Sequence, residues 1–198
     1  MATLHPTFTL IILAPWLGKR FGKAETGGVA MVIGGVILLS AYFLHLDQNQ
    51  AIVWIVLYSL AQFTVAIFNF LVWAFITDVI DFQEVRTGQR DDGTVYAVYS
   101  WARKLGQAGA GFLTGVVLSA IGYNSDAAQA GQEQAPEVVD GIFMIANVLP
   151  GVGCILVGLA LLFLYPLKMN AVLENVRILR ERREAADGSG ADDSRHRR

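Results

Sequence analysis

Residues 51–77 read AIVWIVLYSLAQFTVAIFNFLVWAFIT, 27 residues without one Asp, Glu, Lys or Arg. As a helix this run is roughly 40 Å long at about 1.5 Å per residue, enough to cross a hydrocarbon layer about 30 Å thick. Lipid cannot satisfy open backbone groups, so such a run predicts a membrane helix. Similar runs lie on either side, giving expected spans at 26–46, 95–121 and 139–165. A shorter one at 5–17 has only 13 residues, too few to cross alone, and is read as the inner end of a span that begins elsewhere. A cleaved signal peptide is the competing reading, but residues 1–4 carry no Lys or Arg to start one.

The whole chain agrees with this reading. It is 54% hydrophobic and 16% charged, with a mean hydropathy of +0.47, more apolar than a soluble domain of this length. The expected fold class is therefore all-α transmembrane, with about four full spans and one truncated. Residues 1–167 form the helix bundle and residues 168–198 a tail, amphipathic at first and disordered at its end.

Basic residues are retained on the cytoplasmic side of a membrane. Lys19, Arg20 and Lys23 lie before the first full span, Arg86 and Arg90 after the second, and eight more after Pro166. The alternate loops, 47–50 and 122–138, contain none. The expected location is thus the cell (inner) membrane, multi-pass, with a cytoplasmic carboxy terminus. The formal charge of -2 averages these two sides and gives no reason to expect nucleic acid. The 122–138 loop is expected to be a flexible outer connection.

Where the 51–77 run stops, residues 77–93 read TDVIDFQEVRTGQRDDG, with seven ionisable groups. Asp78 and Asp81 are three apart and project from one helix face. They are either a cytoplasmic gate whose ion pairs form and break cheaply, or an ordinary soluble loop.

The next span contains Lys104, ten residues from Thr94 and so roughly 15 Å deep. A lysine at that depth costs about 3 kcal/mol, and a functional role is the default expectation. The competing reading is that Lys104 and Arg103 stretch back to the headgroups as anchors. Tyr96, Ser100, Lys104 and Gln107 recur at helical spacing, as do Tyr58, Gln62, Asn69 and Trp73 on the preceding span. Hydroxyls, amides, an ammonium and a flat ring around a wet cavity suit a neutral polyol such as a sugar. Interhelical hydrogen bonding by Asn and Gln is the plainer alternative. Glycines at 27, 28, 34, 35, 106, 109, 111, 115, 151, 153 and 158 allow helices to approach closely. The sequence offers no nucleophile with a base, no metal-ligand cluster and no phosphate loop, so neither enzyme activity nor a metal or cofactor is expected.

The pattern D-V-I-D-F-x-E-x-x-T-G-x-R-x-D-G at 78–93, followed by R-K-L-G at 103–106 and preceded by P-W-L-G-K-R-F-G-K at 15–23, resembles the glycoside-pentoside-hexuronide:cation symporters. That melibiose-carrier-like family lies within the major facilitator superfamily. The resemblance covers the chain up to its tail, as spans eight (partial) to twelve of the carboxy-terminal bundle. It implies cation-coupled sugar uptake by alternating access, with Lys104 as an essential lysine and Asp78, Asp81 and Arg90 as inner-gate charges. The substrate residues it implies, together with those read from the helix faces, are Lys104, Asn69, Trp73, Tyr99, Ser100 and Gln62. The family's common Asp-Tyr-Gly-Glu is Asp81-Phe82-Gln83-Glu84 here. The coupling Na⁺ or H⁺ is expected mainly in an amino-terminal half that this chain lacks, so the expected partners are a sugar, the bilayer and that half. A non-transporting membrane interaction or regulatory protein is the alternative.

Overall fold

A computed structural model describes residues 16–44 and 50–196, with side chains described as far as residue 185. Most of the expected 5–17 segment and of the 47–50 loop lies outside the described residues. Residues 16–21 are helical, and then come α1 (Lys23–Phe43), α2 (Ala51–Thr87), α3 (Asp92–Ala120), α4 (Ser125–Gln129), α5 (Pro136–Leu159) and α6 (Met169–His196). The described residues contain no strand. A wide π-type turn, Ala160–Leu164, continues α5. The described backbone is thus helical apart from short connections.

Among the described residues, three helices are long and apolar enough to cross a membrane: Lys23–Phe43, Ala51–Thr87 and Pro136–Leu164. The 29-residue α3 is long enough, but Arg103, Lys104 and a polar stripe dilute its apolar character. At 37 residues, α2 is roughly 55 Å long, so about 25 Å of it projects past a hydrocarbon layer. The residues from Asp78 to Thr87 accordingly continue the helix, since no breaker interrupts them before Gly88. Gly88 ends it at φ 73°, a left-handed conformation that glycine adopts without penalty, and its N–H donates to the Glu84 carbonyl at 2.9 Å.

At the centre, α1 lies between α2 and α5. The reason is visible in its two glycine doublets, seven residues apart. A Cβ on Gly28 would stand 3.0 Å from the Gly158 carbonyl of α5, and one on Gly35 would stand 2.5 Å from the Gly151 carbonyl. The reverse holds too, because a Cβ on Gly158 would meet the Gly28 carbonyl at 2.7 Å. The preceding glycine of each doublet, about 100° round the helix, faces α2 instead: Gly27 against Phe75 and Phe68, Gly34 against Thr64. Each doublet therefore lets α1 approach both neighbours at once. Ala30, Ile67 and Leu71 fill the space between α1 and α2, flanked by Phe63 and Phe75.

One polar tie crosses this interior. Asn147 of α5, with none of its surface exposed, accepts from the Trp54 ring N–H at 3.1 Å and donates to the Phe143 carbonyl at 2.7 Å. Both halves of its amide are satisfied, as burial requires.

The 122–138 loop is more ordered than its composition suggests. Asn124 caps α4 by accepting from the N–H groups of Asp126 and Ala127. The Gln134 side chain clasps the Asn124 backbone, accepting from its N–H at 3.0 Å and donating to its carbonyl at 2.9 Å. At the other end α6 docks on α2, with Leu179 and Asn175 buried. There Arg182 donates to the Glu84 and Val85 carbonyls, at 3.4 and 3.1 Å, where α2 ends and its dipole is negative. The helix runs on to His196, past the point where the composition suggested disorder.

Candidate functional site

Two clusters stand out, one at the basic end of the bundle and one between α2 and α3. At the basic end, Lys23 opens α1 just after Gly22, which is held at φ 95°. Its ammonium donates to Asp78 Oδ1 at 2.6 Å, and Asp78 is only 5% exposed against 31% for Lys23. Lys23 was not among the gate residues expected from sequence. Its place in the K-R-F-G-K run was legible, but no local pattern joins residues 55 positions apart.

Arg90 lies in the short connection between α2 and α3 and gathers three carboxylates: Asp81 and Glu84 at 3.0 Å and Asp92 at 3.1 Å. Glu84 and Asp81 hold the guanidinium well above its ordinary pKa. Beside it, Asp91 caps α3, taking the Thr94 hydroxyl at 2.6 Å and the Thr94 N–H at 3.0 Å. These bonds hold the Asp91 carboxyl below its usual range. From α6, Arg183 reaches Glu84 at 3.6 Å. A cavity of about 560 Å³ opens there, lined by Asp81, Arg90, Arg180, Arg183 and Glu184 with Val176 and Leu179.

The two ion-pair groups differ physically. The Arg90 cluster is half-exposed and screened, so each bond contributes about 1 kcal/mol or less. The Lys23–Asp78 pair is mostly sheltered, and removing one partner strands a buried charge. Lys23→Ala is expected to cost about 2–4 kcal/mol in reversible unfolding in mixed micelles, less than a fully buried pair because Lys23 is partly exposed. Adding Asp78→Asn to that variant should recover most of the loss.

The second cluster sits about five turns of α2 from Trp54. A cavity of about 240 Å³ is lined by Trp73 of α2 and by Tyr96, Tyr99, Ser100, Arg103, Lys104 and Gln107 of α3. The α3 residues fall at successive steps of three, one, three, one and three, which is one continuous helix face. The Trp73 and Tyr99 rings stand 6.2 Å apart at 58° and close one side. Its volume is below the roughly 300–1,000 Å³ of drug-sized pockets and suits a monosaccharide-scale solute.

Of the residues expected to meet a substrate, Lys104, Trp73, Tyr99 and Ser100 come together here. Asn69 and Gln62 do not line the cavity. They are exposed, one and about three turns further along α2. Tyr96 and Gln107, members of the predicted stripe, join the wall, and so does Arg103. On α3 no residue is buried, and a Cβ on Gly106, Gly109, Gly111 or Gly115 would meet nothing within 4 Å.

Comparison with known proteins adds the wider context. A family profile described as MFS/sugar transport protein matches residues 1–169. The chain is 31% identical over 161 residues to the uncharacterised symporter YjmB of Bacillus subtilis, a match covering 81% of this chain and 33% of that protein. It is 34% identical over 122 residues to a putative sulfoquinovose importer of Salmonella typhimurium, covering 61% of this chain and 25% of the relative. It is also 28% identical over 187 residues to the isoprimeverose transporter of Lactiplantibacillus pentosus, covering 93% and 37%. The chain spans about a third of the length of the curated relatives it matches. No solved structure matches it.

Proposed function

This chain belongs to the MFS/sugar transport protein family, and from that premise we propose that it forms carboxy-terminal spans of a cation-coupled sugar symporter working by alternating access. The observation that carries the proposal is the cavity between α2 and α3. It joins a flat indole, Trp73, to hydroxyls, an amide and an ammonium on one helix face, a donor set that suits a polyol. Relatives named as a sulfoquinovose importer and an isoprimeverose transporter support a sugar as the solute. Lys104, Trp73, Tyr99 and Ser100 contact it, and Asn69 and Gln62 extend the same face of α2.

In this reading residues 1–167 are the membrane part and 168–198 a cytoplasmic tail, in the cell (inner) membrane with the carboxy terminus inside. Asp78, Asp81 and Arg90 form the inner gate, and Lys23 joins them as the partner of Asp78. Opening exchanges the half-exposed Arg90 pairs one at a time, which their small individual strengths permit. An amino-terminal half completes the bundle and supplies most of the Na⁺ or H⁺ site. The open surface of α3, which buries no residue, is where that half seats. The expected activity is transport, not catalysis.

The test is uptake of labelled sugar by cells co-expressing this chain with a matching amino-terminal half, with and without a Na⁺ or proton gradient. Uptake is expected only with both pieces and is expected to collapse when the gradient is removed. Gradient-independent uptake would remove the coupling from the proposal, and none in any combination would remove the transport.

A further inference from the structure

Lys23 and Asp78 are unequally placed for an opening gate. The lysine is 31% exposed on a flexible stem and can swing into water, whereas Asp78, 5% exposed, stays behind. A carboxylate left there without a donor is costly, so the open gate needs a second donor close by. Among the described residues, three buried side-chain oxygens make no hydrogen bond: Glu25 Oε2, Gln83 Oε1 and Tyr165 Oη. The first two belong to a carboxylate and an amide carbonyl, which accept. Only the tyrosine hydroxyl can donate to a carboxylate.

Tyr165 is also in the right place. The wide turn Ala160–Leu164 closes α5, and the Tyr165 N–H donates back five residues to the Ala160 carbonyl at 3.0 Å. Pro166 then stops the helix, and buried Leu167 fixes the chain beyond it. Turns of this width recur at functional sites. This one lays the Tyr165 ring against Phe75, with centroids 5.5 Å apart at 60°. Phe75 and Asp78 are three apart on α2 and share a face, and the Asp78 charge acts on the Tyr165 hydroxyl. A buried donor without a partner is disfavoured, and the closed pairing leaves this one unused.

We propose that Tyr165 is a further gate residue, whose hydroxyl donates to the Asp78 carboxylate when Lys23 withdraws. This rests on the inner-gate reading above and extends it. The hydroxyl hydrogen turns freely about the C–O bond, and a shift of the ring against Phe75 brings the oxygen to Asp78. The carboxylate thus passes from a donor on α1 to a donor at the end of α5 and is never left bare.

Stability and uptake test this together. Tyr165→Phe keeps the ring on Phe75 and removes only the donor. In reversible unfolding of the full chain in mixed micelles it is expected to change little by itself. Added to Lys23→Ala, where Tyr165 is the remaining donor, it should lower the folding equilibrium constant by a further factor of about 10–150, the worth of a hydrogen bond to a charged group. Should Lys23→Ala fail to fold, Lys23→Met keeps the stem, loses only the ammonium and gives the same comparison. A packing role alone would produce equal losses in both backgrounds. In cells co-expressing the amino-terminal half, Tyr165→Phe should lower the maximal uptake rate by about 10-fold and leave the half-saturation concentration unchanged. Equal effects in the two backgrounds, or an unchanged maximal rate, overturn the inference and leave the Lys23–Asp78 pair intact. Absence of uptake by the unmodified pieces overturns the gate reading itself, and the inference with it.

Discussion

Gly35→Val forces α1 and α5 apart. The first added carbon stands 2.5 Å from the Gly151 carbonyl and 2.6 Å from Ile155 Cγ1, and the nearer of these is backbone that has no rotamer to yield. Overpacking of this kind costs about 1–3 kcal/mol, and a branched side chain belongs at the upper end. Against a total stability of about 5–15 kcal/mol, one such change is a large fraction. Reversible unfolding in mixed micelles should record a loss near 3 kcal/mol. Gly153→Ala is the control: a Cβ there meets nothing within 4 Å, so no loss is expected, and exchanging glycine for alanine in a helix should stabilise by up to about 1 kcal/mol. Equal behaviour of the two variants would show that α1 and α5 are not held by backbone contact.

In the paired system proposed above, Lys104→Ala is expected to produce the largest change in uptake. The ammonium lines the cavity beside Ser100 and Tyr99, and charge-assisted hydrogen bonds contribute about 1.5–3 kcal/mol each. Its loss should weaken apparent sugar affinity by about 10–150-fold. Lys104→Arg should retain only part of the function, since a planar fork replaces a compact charge. The readout is the substrate dependence of labelled uptake in the co-expressed system. An unchanged half-saturation concentration in Lys104→Ala would remove this residue from the site.

Much of this architecture was legible in the sequence because lipid imposes simple demands. Long uncharged runs such as 51–77 must be helices, and the i, i+4 spacing from Tyr96 to Lys104 must place those residues on one side. What a helix face meets was less legible. The glycines of α1 and α3 look alike in sequence, yet Gly28 and Gly35 touch α5 while Gly106 and Gly109 touch nothing. Periodicity identifies a face and says nothing of its neighbour. Asn69 and Gln62 share a face with Trp73, but of the α2 residues only Trp73 lines the cavity. The partnership of Lys23 with Asp78, and the grip of Arg182 on the end of α2, join segments far apart in the chain. Only the assembled fold brings them within reach.

The seam between α1 and α5 limits how the two can slide. Contacts of bare backbone recur every seven residues on both sides, Gly28 with Gly158 and Gly35 with Gly151. A shift by a single turn would set branched side chains where only hydrogens fit, and the next matching position is about 10.5 Å away. These helices are therefore keyed together like a shaft in a slotted sleeve, and they travel as a unit. Changes of shape must be absorbed elsewhere, and α3, which buries no residue against the rest of the chain, is the element most loosely fastened to that unit.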